Sequence, residues 1–259
     1  MDFIVNPKHR HYGGESKNFW VIDNGGFSDA NLYSRIVESE VLITDLDESI
    51  AQSPARIIAQ THSLRKFPGT LEYWCWVAKY LFKYLGGDSN IESSAWKEYV
   101  SKFLRTPEER RSAGEYFTTD IVSKILYPGV RDFYCVLPES MKKSCVTRNI
   151  EEVALQFTRP LGINSVVAEA FYKSTIVELM IKAAPWRKRY LLIGDSSEDE
   201  EALDVLRSIK KKGFIDFVLS IWVCKSPDDA NKEFDISIGR NYSGLVEIIK
   251  NRRSIESRL

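Results

Sequence analysis

Two apolar, β-branched runs in distant parts of the chain end abruptly in aspartates. Val41-Leu42-Ile43-Thr44 runs into Asp45-Leu46-Asp47-Glu48-Ser49, and Tyr190-Leu191-Leu192-Ile193 runs into Gly194-Asp195, with Asp199 shortly after. Such runs suit strands buried on both faces of a parallel sheet. If both strands belong to one sheet, their C-terminal ends share the edge at which open α/β sheets bind ligands. Asp45, Asp47, Asp195 and Asp199 then converge. Four carboxylates without a counter-cation repel strongly, so a hard divalent ion is expected among them. Oxygen ligands in an aqueous α/β site favour Mg²⁺ over zinc. The plainer reading is that Asp195 and Asp199 merely cap the helix after Gly194, but Asp45-x-Asp47 has no comparable capping role.

The elements that must position these acids can be read along the chain. Phe19-Trp20-Val21-Ile22 is strand-like and Asn24-Gly25-Gly26 reads as a turn. Residues 52 to about 125 contain no convincing strand. Leu71, Trp74, Val77, Leu81 and Leu85 recur at spacings of three or four, a helix face, and Gly86-Gly87 stops that helix. Thr106-Pro107-Glu108-Glu109 opens another, with Thr106 as cap, Pro107 in the first turn and Glu109 completing a capping box.

From Gly129 onward, strands and helices alternate. Gly129 to Leu137 reads as helix, Ser144 to Thr147 as a short strand, Glu151 to Phe157 as helix, and Ile163 to Ala168 as an apolar run. Lys173 to Ala184 shows Ile176, Leu179, Met180 and Ala183 on one face. Ser197 to Lys212 carries acids in its first turn, lysines in its last and Gly213 beyond, an order that complements the helix dipole and supplies a C-cap. Phe217 to Cys224 and Phe234 to Ile238 supply further strands. The alternation predicts an α/β fold, Rossmann-like, whose parallel sheet carries helices on both faces.

The 259 residues hold 36 Lys plus Arg and 36 Asp plus Glu, a net charge of zero that argues against a dedicated nucleic-acid binder. With 44% hydrophobic and 28% charged residues, the chain has the composition of a globular protein. No run approaches the roughly 20 apolar residues that span a bilayer, and the N-terminus lacks a secretory pattern, so a soluble, cytoplasmic protein without membrane partners is expected. The four cysteines form no Cys-x-x-Cys pair, and Cys145 and Cys224 read as core residues. Three histidines leave little room for a protease built on a His base. His9 and His11 flank Arg10 in a polar segment, a poor metal site. Arg187-Lys188-Arg189 reads as a solvated turn.

Taken in order, the motifs resemble those of the haloacid dehalogenase-like superfamily of phosphatases and phosphotransferases. Asp45-Leu46-Asp47-Glu48-Ser49 is similar to its first motif, with Ser49 where Thr is more frequent. Cys145-Val146-Thr147-Arg148-Asn149 resembles the second, and Tyr127-Pro128-Gly129-Val130 the segment that opens the preceding helix. Lys173 fits the lysine of the third motif, although Ser174 follows it where Pro or Gly is often seen. Lys182, near the helix end, is better read as a solvated surface residue. Gly194-Asp195-Ser196-Ser197-Glu198-Asp199 resembles the fourth motif. The likeness runs from about residue 41 to the end.

The resemblance implies roles. Asp45 is the nucleophile that forms an aspartyl-phosphate, and Asp47 the general acid, then base. Thr147 bonds a phosphoryl oxygen, and Lys173 neutralises phosphoryl charge while keeping Asp45 ionised. Mg²⁺ is held by Asp45, the Asp47 carbonyl, Asp195 and Asp199. Residues 51–125 resemble the family's helical cap, set between core segments 1–50 and 126–259. They carry Tyr73, Trp74, Trp76, Tyr80, Phe82, Tyr84 and Trp96. Aromatic residues at helical spacing usually pack, so most are expected in the cap core, though their number also permits an aromatic lining toward the site.

The implied activity is Mg²⁺-dependent hydrolysis of a small-molecule phosphomonoester. Two alternatives stay open, a phosphotransferase or mutase using the same intermediate and a catalytically idle module that keeps the fold. A dehalogenase is disfavoured because Asp47 supplies an acid–base group that dehalogenation does not need.

Overall fold

The computed structural model describes residues 8–11, 20–62, 70–85 and 91–256. Among these, the strands are β1 (Lys8–His11), β2 (Trp20–Asp23), β3 (Val41–Thr44), β4 (Lys142–Val146), β5 (Ser165–Val167), β6 (Arg189–Gly194), β7 (Phe217–Cys224) and β8 (Ile236–Gly239). They form one sheet in the order β1-β2-β8-β7-β6-β3-β4-β5. From β8 to β5 every neighbouring pair is parallel, while β2 joins β8, and β1 joins β2, antiparallel. This is the expected α/β, Rossmann-like architecture. The strand-like run near residue 20 becomes an edge extension of the sheet, fixed at its end by Asn24, whose side-chain amide donates to the carbonyls of Asn231 and Phe234. Phe19, the Gly86-Gly87 turn and the side chains of His9 and His11 lie outside the described residues.

The period-2 geometry of the strands divides the core in two. Val41 and Ile43 of β3, with Tyr190 and Leu192 of β6, face helices α9 (Lys173–Ala183) and α10 (Ser197–Lys211) through Val177, Ile181, Leu203 and Leu206. Leu42, Leu191 and Ile193 face the opposite way, toward α1 (Asp29–Glu38) and α11 (Ser243–Glu256) through Leu32, Ile36, Leu245 and Ile249. Both faces of the central strands are covered, which explains their unbroken apolar sequence. Phe234, expected to open the last strand, instead packs its ring on Trp222 at 4.9 Å before β8 begins.

Between β3 and β4 the described residues are helical: α2 (Pro54–Ile57) with a π-helical turn (Ile58–His62), α3 (Leu71–Leu85), α4 (Ile91–Phe103), α5 (Pro107–Glu115), α6 (Thr119–Ile125) and α7 (Val130–Val136). The box at Thr106 forms in full. Glu109 N–H donates to the Thr106 hydroxyl and the Glu109 carboxylate accepts from Thr106 N–H. The stripe Leu71, Trp74, Leu81 is a face of α3 but not the buried one, with exposures of 79%, 49% and 55%. Tyr73, Trp76 and Tyr80 are buried instead: Tyr73 packs on Phe103 of α4, Trp76 on Tyr99 with centroids 5.3 Å apart, and Tyr80 on Trp76. Because α3 is apolar almost all round, periodicity does not select its inner face. The larger aromatic side chains take it.

Helix α8 (Glu151–Thr158) follows β4 and packs against α5. No helix among the described residues is long and apolar enough to cross a membrane.

Candidate active site

Strands β3 and β6 lie side by side in parallel register, Thr44 opposite Ile193, and Asp45 N–H continues the ladder to the Ile193 carbonyl at 3.3 Å. Their acidic ends therefore emerge together. Carboxylate oxygens of Asp45, Asp195 and Asp199 lie within 4.8 Å of one another. The sheet thus brings together three of the four acids that end the two runs.

Lys173, the first residue of α9, reaches into this group. Its Nζ donates to Asp45 Oδ2 at 2.6 Å and Asp199 Oδ1 at 2.9 Å, and the side chain is 2% exposed. Lys182 lies on the same helix but is solvent-facing and pairs with Glu178. Asp45 Oδ1 accepts from Leu46 N–H at 2.6 Å, and Asp195 Oδ1 accepts from the Ser49 hydroxyl at 2.7 Å. Asp199 serves twice. Besides bonding Lys173, its Oδ2 accepts from the N–H groups of Asp195 and Ser196 and from the Ser196 hydroxyl, capping α10. Capping and membership of the acid group, opposed alternatives in the sequence, coexist in one side chain. Gly194 is what lets Asp199 fold back, since a Cβ there would stand 2.3 Å from Asp199 Cγ.

Asp47 is held apart from that group. Its Oδ1 accepts from the Ser53 hydroxyl at 3.1 Å and Ala55 N–H at 3.0 Å, and Oδ2 accepts from Asn149 Nδ2 at 3.1 Å. It nonetheless lines the same cleft as Asp45 and Asp195, a cavity of ≈260 Å³ whose wall also includes Ser53, Trp96 and Arg148. Thr147, just past β4, is fully buried, and its hydroxyl accepts from Asn149 N–H at 3.2 Å.

Sequence reasoning did not single out Asn149, Ser53 or Arg148. The only local signal was that Arg148 and Asn149 close the run beginning at Cys145. Arg148 pairs with Glu198 at 2.8 Å, and its carbonyl accepts from Trp96 Nε1 at 2.9 Å.

The loop carrying the acids is fastened from far along the chain. Glu48 adopts a left-handed backbone, φ 59°, and its carboxylate accepts from the Tyr127 hydroxyl at 2.7 Å and pairs with Arg240. Tyr242 donates its hydroxyl proton to the Ser49 carbonyl at 2.9 Å. A strained residue of this kind persists only where its surroundings over-determine it.

Electrostatics follow from burial. Desolvation raises the Asp45 carboxyl to about 6, with Lys173 opposing and Asp199 and Asp47 reinforcing the rise. Burial, then the Asp45 charge, drives Asp195 well above the usual carboxylate range, and burial raises Asp47 against its three hydrogen bonds. Burial alone would lower Lys173, but Asp199 and Asp45 outweigh it and push its pKa up, so it stays an ammonium. One cation against this many acids leaves uncompensated negative charge. Three converging carboxylates, all hard oxygen donors, fit a divalent ion.

No family model matches the chain, and neither does any curated protein. Among solved structures, cytosolic 5'-nucleotidase IIIB bound to cytidine is similar over 88% of this chain and 93% of its own, at 13% identity and a TM-score of 0.57. A probable phosphoserine phosphatase from Vibrio cholerae, unliganded, is similar over 86% of this chain and 68% of its own, at 12% identity and a TM-score of 0.50. The likeness to both is one of fold.

Proposed function

We propose that this chain is a Mg²⁺-dependent phosphatase that hydrolyses a small-molecule phosphomonoester through an aspartyl-phosphate. The observation that carries the reading is the buried ion pair of Lys173 with Asp45 beside converging Asp195 and Asp199. An oxygen of Asp45 forms a bond to phosphorus as the bond from phosphorus to the ester oxygen breaks. Asp47, in its acid form, gives its proton to the departing oxygen. The Asp47 carboxylate then takes a proton from water, whose oxygen bonds phosphorus while the Asp45–phosphorus bond breaks. Inorganic phosphate leaves and both aspartates return to their starting forms.

Asp47 suits the acid role because burial raises its pKa while Ser53, Ala55 and Asn149 fix its orientation. Lys173 holds Asp45 in place and keeps a fixed positive charge where phosphoryl oxygens gather. Thr147, whose hydroxyl oxygen already accepts a bond, keeps its own O–H to donate to the phosphoryl group. Asp45, Asp195, Asp199 and the backbone carbonyl of Asp47 are the groups that would hold Mg²⁺, which when bound offsets negative charge on the acids and the phosphoryl group. In the same reading residues 51–125 form a cap on a core of 1–50 and 126–259, with substrate entering between them.

The test is release of phosphate from p-nitrophenyl phosphate with Mg²⁺ and with EDTA. Turnover should require the metal and vanish in Asp45→Asn. Undiminished turnover in that variant, or no release across a broad panel of phosphate esters, would sink the proposal.

A further inference from the structure

A second cavity, of ≈450 Å³, adjoins the acid cleft through the shared residues Ser53, Ala55 and Trp96; Arg56 and Gln60 also line it, but its wall is chiefly Tyr73, Trp74, Trp76, Val77 and Leu81 of α3. That volume is in the range of pockets that enclose small organic ligands. The phenol groups of this wall are turned to the protein: Tyr73 donates to the Ala59 carbonyl at 3.0 Å, and Tyr80 OH contacts the Ser94 carbonyl at 3.1 Å and Glu98 at 2.7 Å. Trp74 and Leu81, large and apolar, also line the cavity yet are half exposed. A chamber walled chiefly by rings and aliphatic groups, its phenols already bonded to the protein, calls for an apolar occupant.

We propose that this chamber receives the leaving group of the substrate, and that the leaving group is an alcohol with a flat aromatic body. The inference rests on the phosphatase reading above, because it takes the acid cleft as the seat of the phosphoryl group. A polar aliphatic leaving group would leave these walls against water.

The experiment compares kcat/KM for 2-(2-naphthyl)ethyl phosphate and ethyl phosphate on the full chain with Mg²⁺. Both are esters of simple primary alcohols, so the ratio reads binding of the aromatic body. It should favour the naphthyl ester roughly ten- to hundredfold, the factor that burial of one large apolar group is worth. Trp74→Ala and Leu81→Asp, both at half-exposed positions that the fold tolerates, should each cut that ratio at least about fivefold. Equal kcat/KM for the two esters, or a ratio untouched in both variants, overturns the chamber's role and leaves the phosphatase reading standing. Hydrolysis of neither ester by a chain that still turns over p-nitrophenyl phosphate also overturns the chamber's role, whereas no turnover of any phosphate ester overturns the phosphatase reading itself.

Discussion

Replacing Lys173 with Met tests whether the acid group is held together by charge. The substitution keeps a long unbranched side chain and removes the ammonium. Asp45 and Asp199, whose side chains are 4% and 3% exposed, then lose the donor that stands 2.6 and 2.9 Å from them. Removing one partner of a buried ion pair costs about 3–5 kcal/mol, because the remaining charge stays buried and uncompensated. Here Leu46 N–H still serves Asp45, while three donors still serve Asp199. The low end is therefore expected, about 3 kcal/mol, or a fall of about 6–12 °C in Tm for a chain this size.

The assay is urea unfolding at pH 7 in EDTA, so that no dication substitutes for the lysine. Adding Asp45→Asn to the Lys173→Met background should recover part of the loss, with a coupling of about 1–3 kcal/mol in the double-mutant cycle. A Lys173→Met protein within about 0.5 kcal/mol of wild type, or a cycle that is simply additive, would refute the idea that this ammonium compensates buried acids.

Other expectations follow from geometry. Gly129 has φ +76°, and a Cβ on it would meet Ser243 N at 2.6 Å, so Gly129→Ala should lose about 2–4 kcal/mol in thermal or urea unfolding. Gly194→Ala forces Asp199 out of place and should cut phosphatase turnover at least about tenfold in steady-state assays. Glu98 is depressed to about 2 by hydrogen bonds from Lys79 and Tyr80. A carboxylate lowered on folding contributes stability above its ordinary value of 4.5 and loses it as pH falls toward 2. Glu98→Gln should therefore be about 1 kcal/mol less stable at pH 7, with the gap closing between those two pH values in urea titrations.

Much of the site was legible because its signals are local. A strand buried on both faces must be apolar throughout, so the point where β3 or β6 reaches the sheet edge is marked by the first aspartate. The capping box at Thr106 and Glu109 spans a single turn, and both of its bonds form. Lys173 outranks Lys182 because only a helix start aimed at the sheet edge can reach Asp45.

What was not legible depends on long-range contacts. Nothing near Glu48 announces a left-handed backbone clamped by Tyr127 and Arg240, and nothing near Asp47 announces Asn149. The buried face of α3 depends on which neighbour it meets, and an almost wholly apolar helix does not encode that choice. The antiparallel extension through β1 and β2 likewise needed β8 as its template.

The fastening of Ser49 by Tyr242 spans 193 positions of chain. On a ribosome, which releases the polypeptide N-terminus first, the loop that begins at Asp45 is made early and waits for its clasp until the last strand and the following residues have emerged. The shape of that loop is thus among the last things the molecule acquires. A chain interrupted shortly before Arg240 would own every acid of the group and still lack the brace that sets them.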